Sequence, residues 1–278
     1  MPTPLAIMTN MGSIAAQKNL SASSRGMQRS IERLSSGLRL NSASDDAAGM
    51  AVSTGLRAQL GGYQQASRNA NDAVAIMNTA EGGLNTVSDT LIRMRELAVQ
   101  SASDGVTDTE RAYIETEFDD LVTEINRVSA VTEYNGIKLL DGTAGVSGAM
   151  VFQVGTRNTS NDRVNVTLSK MDASALGISG ATLSTLGKAQ SAIAQLDAGI
   201  SVLSSHRATI GSTINTLDGA MSNLGNTIQN VSTAVSQIRD ADIAAESASF
   251  ASSMVLQQAG VSMLAQANQA PNLSLRLL

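Results

Sequence analysis

The chain has 278 residues, 42% of them hydrophobic but only 2% aromatic, with no Trp and no Cys. Without cysteine there are no disulfides, no thiolate metal sites and no cysteine nucleophile, and so few aromatics are poor material for a compact enzyme core. The net charge is −5, with 19 dispersed basic residues, so a nucleic acid or an anionic membrane is not an expected partner.

In chain order, Leu5 to Leu40 is a helix candidate carrying two stripes out of phase with one another. Ile7, Met11 and Ile14 form the first, and Met27, Ile31, Leu34 and Leu38 the second, as expected of a helix gripped by several neighbours. Asn41 to Asp46 breaks the pattern and offers cap residues and two carboxylates for a new helix. That helix spans about 47–103, with the stripe Leu56, Leu60, Tyr63, Ala70, Val74, Met77, Leu84, Leu91, Met94 and Ala98. A slip is expected at Glu81-Gly82-Gly83, where the glycines weaken the helix. No strand precedes them, so they read as a packing adjustment rather than a phosphate-binding turn. Asp104-Gly105 ends the helix, and Thr107 with Glu110 matches a capping box. The third helix carries Ile114, Phe118, Leu121, Ile125 and Val128.

Asn135-Gly136 and Asp141-Gly142 are turn signals. Strand-like pieces cover 137–140, 150–154 and 164–168, and the last two alternate with period two as a hairpin with one buried face. The tip, 155–163, reads as polar and flexible, and a Gly- and Ser-rich connection spans about 172–185. Ile193 to Ile238 then keeps four-three spacing through fourteen positions, with Arg207 alone not apolar. Such a stripe marks a long helix of roughly 70 Å in a coiled-coil-like bundle. Arg207 is open between an ion pair that sets register and a stem that snorkels to solvent. Past a second charged break at 239–242, Ile243, Phe250, Met254, Val261 and Leu264 lie on one face of the last helix. Leu256 and Met263 lie on an adjacent one, making a face wider than one partner helix covers. The fold class is therefore mainly α: a long antiparallel coiled-coil bundle with a small β-hairpin excursion. The terminal helices pair, and helices 47–103 and 107–130 cover the stripe of the long one.

Sites of chemistry are few. His206, the single histidine, has no strained nucleophile turn beside it and reads as a surface or seam residue. Asp45-Asp46 and Asp240/Asp242 fit no calcium loop and read as helix-start charges. Asn158-Thr159-Ser160 and Asn165-Val166-Thr167 match an acceptor pattern for a glycosylation route of eukaryotic type; exposed Ser or Thr near the hairpin are alternative targets. No catalytic residue, cofactor or metal site is assigned, and no run is apolar enough to span a bilayer.

Several segments carry a family resemblance. Ile31 to Ala43 followed by Asp45-Asp46-Ala47-Ala48-Gly49, then Gln65 to Asp72 and Met94 to Ser101, resemble the N-terminal signature of bacterial flagellins. Asn223 to Thr227, Leu256 to Gly260 and Leu264 to Gln269 resemble the C-terminal one. The resemblance implies a filament subunit in which 1–44 plus 240–278 form the inner terminal coiled-coil domain and 45–239 the helical domain, with no outer domains. Assembly falls to the terminal helices through Ile7, Met11, Ile14, Met27, Ile31, Leu34, Leu38, Ile243, Phe250, Met254, Val261 and Leu264. It also implies export without a cleaved signal through the flagellar type III apparatus, and an extracellular location. The implied partners are further copies of the chain, the filament cap, hook-junction proteins and a secretion chaperone at the C-terminal helix. Arg93, Leu97 and Glu117 match positions by which similar flagellins meet the host Toll-like receptor 5; subunit packing is the competing role for all three. Alternative functions are a hook–filament junction protein or, from a different class, a secreted helical binding module.

Overall fold

The computed structural model describes residues 9–146 and 148–275, with side chains as far as residue 269. Five helices, α1 (Met11–Ser36), α2 (Ala47–Ser101), α3 (Asp108–Val131), α4 (Leu186–Arg239) and α5 (Ile243–Leu275), account for most of it. Four strands lie between α3 and α4: β1 (Glu133–Tyr134), β2 (Ile137–Lys138), β3 (Ala149–Gln153) and β4 (Arg163–Thr167). By contact the chain forms two compact units, one joining residues up to 58 with those from 230 onward, the other covering 59–229.

In the 59–229 unit, α2, α3 and α4 share one hydrophobic core. The stripe of α4 is buried as a heptad requires. Leu196, Leu203, Ile210, Leu217 and Leu224 are buried every seven residues, and the alternate positions Ile193, Ile200, Arg207, Ile214 and Met221 are half-buried. On α2 the buried line is Ala66, Ala70, Ala73, Met77, Ala80, Leu84, Val87, Leu91, Met94 and Ala98. Its four-three spacing runs through the glycines unbroken, so the expected slip at residues 81–83 does not occur. Alanines at 73 and 80 and Val87 hold the register where a search for large apolar residues finds a gap.

Gly83 has a different task. A Cβ there would lie 2.8 Å from Leu140 Cδ1 and 2.8 Å from Thr132 Oγ1, so the absent side chain admits the hairpin that follows α3. That hairpin, β1–β2, pairs Tyr134 with Ile137 around Asn135 (φ 51°) and Gly136 (φ 77°), the positive-φ turn that Asn-Gly favours. The second hairpin pairs Met150 with Val166 and Phe152 with Val164, and these four side chains pack on the core while Val151 is exposed. Its polar tip carries hydrogen bonds of its own. Gln153 Nε2 donates to the carbonyls of Gly155 (2.9 Å) and Arg157 (2.8 Å), and Val154 N to that of Asp162 (2.8 Å).

The expected connection at 172–185 is a further part of the core. Met171, Ala173, Leu176, Ile178, Ala181 and Leu183 are buried. The segment is anchored by Asn126 Oδ1 accepting from Ala173 N (3.0 Å) and by Ser101 Oγ donating to the Leu183 carbonyl (2.9 Å). Buried Arg111 closes the α2–α3 corner by donating to the carbonyl of Ser101 (2.8 Å), at the end of α2, and to that of Ser103 (2.7 Å) in the turn that follows. The Thr107–Glu110 capping box is formed. Arg207 pairs with Glu81 of α2, its Nε 2.8 Å and its terminal nitrogen 2.7 Å from Oε1, so the ion-pair reading holds. With Arg95–Asp197 at 2.6 Å, this pair shows that α2 and α4 run antiparallel.

The adjacent glycines give an opposed pair of outcomes. Gly82 has open space where its Cβ would be, so Gly82→Ala should stabilise by up to about 1 kcal/mol through helix propensity. Gly83→Ala should destabilise by about 1–3 kcal/mol, because overpacking exceeds the same propensity gain. Thermal and denaturant unfolding followed by circular dichroism checks both signs.

Candidate assembly surface

α1 and α5 pack side by side and antiparallel. Asn10 Nδ2 donates to the Ala267 carbonyl (2.7 Å), Ser23 Oγ to that of Ser253 (3.0 Å), and Arg33 pairs with Glu246 at 3.5 Å. The covered positions of α1 are Ser13, Ala16, Leu20, Ser23, Met27, Ser30 and Leu34, and those of α5 are Glu246, Phe250, Ser253, Gln257, Gly260, Leu264 and Ala267. Both lines keep four-three spacing, but small and polar residues fill most places. The approach is close: a Cβ on Gly260 would lie 3.2 Å from Leu20 Cδ1.

Because small residues make the seam, large apolar ones are left outside it. Met11 (68% exposed), Ile14, Ile31, Ile243, Met254, Val255, Leu256, Val261 and Met263 are all exposed. The expected assembly residues thus divide. Met27, Leu34, Phe250 and Leu264 lie in the intramolecular seam, and Met11, Ile14, Ile31, Ile243, Met254 and Val261 face outward. Ile7 lies outside the described residues.

α1 ends earlier than expected. Gly37 adopts φ 71° and donates its N–H to the Arg33 carbonyl at 2.8 Å, an αL cap, so Leu38 and Leu40 lie beyond the helix. Leu38 instead bridges antiparallel to Asp240. Around that bridge, Arg39 N donates to the Arg239 carbonyl (2.7 Å), Ala241 N to that of Gly37 (3.0 Å), and the Arg39 side chain to the Ile238 carbonyl (2.7 Å). The acidic residues serve the backbone. Asp46 accepts from Gly49 N, Asp242 from Ala244 N and Ala245 N, and Asp45 from the amides of Asn41 and Ser42. The bonds from Ser42 hold the Asp45 carboxyl below its ordinary range. Among the described residues no cluster of three or more His, Cys, Asp or Glu side chains is placed to hold a metal.

Of the three positions linked to receptor recognition, Arg93 and Glu117 are exposed and joined, Arg93 Nε at 3.0 Å and its terminal nitrogen at 2.7 Å from Glu117 Oε1. That bond and a second to Glu96 raise the Arg93 pKa above its ordinary value. Leu97 is 1% exposed and belongs to the core, so it offers no free surface; packing accounts for it. His206 is half-buried against Leu84, Leu140, Met171 and Ile210, a seam residue whose burial lowers its pKa.

Comparison with known proteins decides what this arrangement belongs to. Residues 7–145 match the family model of the bacterial flagellin N-terminal helical region, and 193–278 that of the C-terminal helical region. The chain is a member of the bacterial flagellin family. It is 40% identical to a flagellin of Halalkalibacterium halodurans over 97% of this chain and 98% of the relative. It is 36% identical to a flagellar filament core protein, flaB2, of Brachyspira hyodysenteriae over 98% and 99%. A flagellar hook-associated protein of Vibrio parahaemolyticus is similar in fold alone, with TM-score 0.59 at 17% identity over 70% of this chain and all of the other. The chain is thus a flagellar filament subunit. The filament relatives, matched along almost their whole length, favour that role over a hook–filament junction.

Two outcomes test this geometry. Gly260→Leu should force α1 and α5 apart and raise amide hydrogen exchange in α5, whereas Ala251→Leu at an exposed position should leave exchange unchanged. The lowered His206 pKa makes the fold favour neutral imidazole, so this contribution is complete above the unfolded value and is lost as pH falls through the folded one. Unfolding midpoints measured between pH 7 and pH 5 should fall, and His206→Gln should shrink that fall.

Proposed function

We propose that this flagellin polymerises through the outward faces of α1 and α5. The observation that carries the proposal is the distribution of apolar side chains around α5. Met254 and Met263, nine residues apart, point to opposite sides at 100° per residue, with Val255 between them in angle and Leu256 beside Met263, and all four are exposed. A helix with large apolar side chains exposed on opposite sides carries more apolar surface than one partner helix covers. Within the chain α1 covers one line of it, so further copies supply the rest. On this reading the segments 1–44 and 240–278 act as one assembly domain and 45–239 as the other.

Several features of the family reading accompany this proposal. The subunit is exported by the flagellar type III route and works outside the cell. Its C-terminal helix, with large apolar side chains exposed on opposite sides, is the segment that needs a secretion chaperone before assembly, and the cap and hook-junction proteins contact the growing ends. The chain performs no catalysis. Arg93 and Glu117 serve subunit packing first; contact with a host receptor is secondary. Among the described residues no helix is long and apolar enough to cross a membrane.

Seeded polymerisation followed by electron microscopy tests the proposal. Wild-type protein should give long helical filaments. Ile14→Asp, Met254→Asp and Val261→Asp should each raise the critical concentration at least about tenfold, since a buried unpaired carboxylate costs more than about 1.4 kcal/mol. Circular dichroism of the free subunit should stay unchanged. Removal of residues 240–278 should abolish filaments; normal filaments from that truncation would overturn the proposal.

A further inference from the structure

The methionines are divided between the two units in a way that packing alone does not require. Met77 and Met94 are fully buried and Met171 is 2% exposed, all in the core of the 59–229 unit. Met11, Met254 and Met263 are 68%, 51% and 62% exposed, all on α1 and α5. Met27, Met50, Met150 and Met221 are half-buried. Among the described methionines, the exposed ones therefore lie on the surfaces argued above to be covered on assembly. The chain has no cysteine, so its thioethers are its sulfur nucleophiles toward an oxidant.

We propose that Met11, Met254 and Met263 are an oxidation-sensitive modification site of the free subunit, and that hydroperoxides acting there block its assembly. The thioether sulfur attacks the distal peroxide oxygen. The O–O bond breaks as the S–O bond forms, the sulfur is oxidised by two electrons to a sulfoxide, and the peroxide is reduced to water or an alcohol. The product carries a strongly polar oxygen in place of an apolar, polarisable surface. Around Met254 and Met263 the exposed neighbours Val255, Leu256 and Val261 are apolar, so an interface that buries the sulfoxide must desolvate its oxygen, a cost offset only where the amide of Gln258 or Gln266, one turn away on the same face, turns to it. Assembly, once complete, shields the same sulfurs. Sensitivity thus belongs to the subunit before it is incorporated, and a pair of stereospecific sulfoxide reductases reverses it. The assembly consequence rests on the reading of α1 and α5 as the polymerising surfaces, whereas the order of oxidation does not.

The test treats free subunit and finished filament with dilute hydrogen peroxide and maps sulfoxides by peptide mass spectrometry. In free subunit, positions 11, 254 and 263 should oxidise at least tenfold faster than 77, 94 and 171, and in filament their rates should fall at least tenfold. Oxidised subunit should show a critical concentration raised tenfold or more, restored by the two reductases. The triple variant Met11→Leu, Met254→Leu, Met263→Leu, volume-conserving at each position, should assemble equally well before and after peroxide. Equal oxidation at all six positions, or loss of assembly in the treated triple variant, would overturn the proposal. Failure of untreated wild-type protein to assemble would count instead against the assembly reading, and the oxidation order would still decide the site.

Discussion

The structure depends on one constraint: the helix pair at the chain ends is joined along a seam too small to use the apolar side chains its sequence carries. Gly260 against Leu20 and Ser23 against Ser253 bring α1 and α5 close. That closeness is possible only because the large residues Ile14, Ile31, Met254, Val261 and Met263 stand elsewhere on the two helices. Burial of such side chains is worth about 1.5–3 kcal/mol each. A lone copy forgoes that stabilisation at every one of these positions; on the proposed assembly, further copies supply it. The same choice of small residues that closes the pair therefore leaves large apolar side chains on its outside.

The 59–229 unit has the opposite character. Its three helices satisfy one another: Leu196, Leu203 and Ile210 of α4 share a core with side chains of α2 and α3, Leu217 is buried with Ala70 and Ala73 of α2 and Val154, and the segment 171–183 and the two hairpins close what remains. Polar groups in this unit mostly have structural employment. Arg111 terminates α2, Glu81 holds Arg207 in register, and Ser129 Oγ donates to the Leu140 carbonyl at 2.6 Å. Among the described residues nothing comparable converges on a substrate-sized cavity with a nucleophile and a base, and His206 is employed as a packed seam residue.

Much of this was legible in the chain because periodicity survives without context. The α4 heptad, the Thr107–Glu110 box and the alternation of Met150 with Phe152 and Val164 with Val166 each state their own geometry. Residues whose meaning depends on a neighbour were less readable. Ala73 and Ala80 continue the α2 seam, yet alanine does not announce burial. Gly83 resembles a helix defect until Leu140 and Thr132 are seen above it. The segment 172–185 looks like a linker because its buried residues, Ala173, Leu176, Ile178, Ala181 and Leu183, follow no period. Leu97 matches a surface motif but faces the core. On the terminal helices the division of the large apolar residues between seam and outward face was hidden, since serine, alanine and glycine share the seam with Leu20, Met27, Leu34, Phe250 and Leu264.

The central claim, that the outward faces of α1 and α5 hold the filament together, is tested most directly by a helical reconstruction of the assembled protein at side-chain resolution. The account predicts that Ile14, Met254, Val255, Leu256, Val261 and Met263 are each covered by a neighbouring copy. A filament whose copies touch only through residues 59–229, with those six side chains left in solvent, would contradict it.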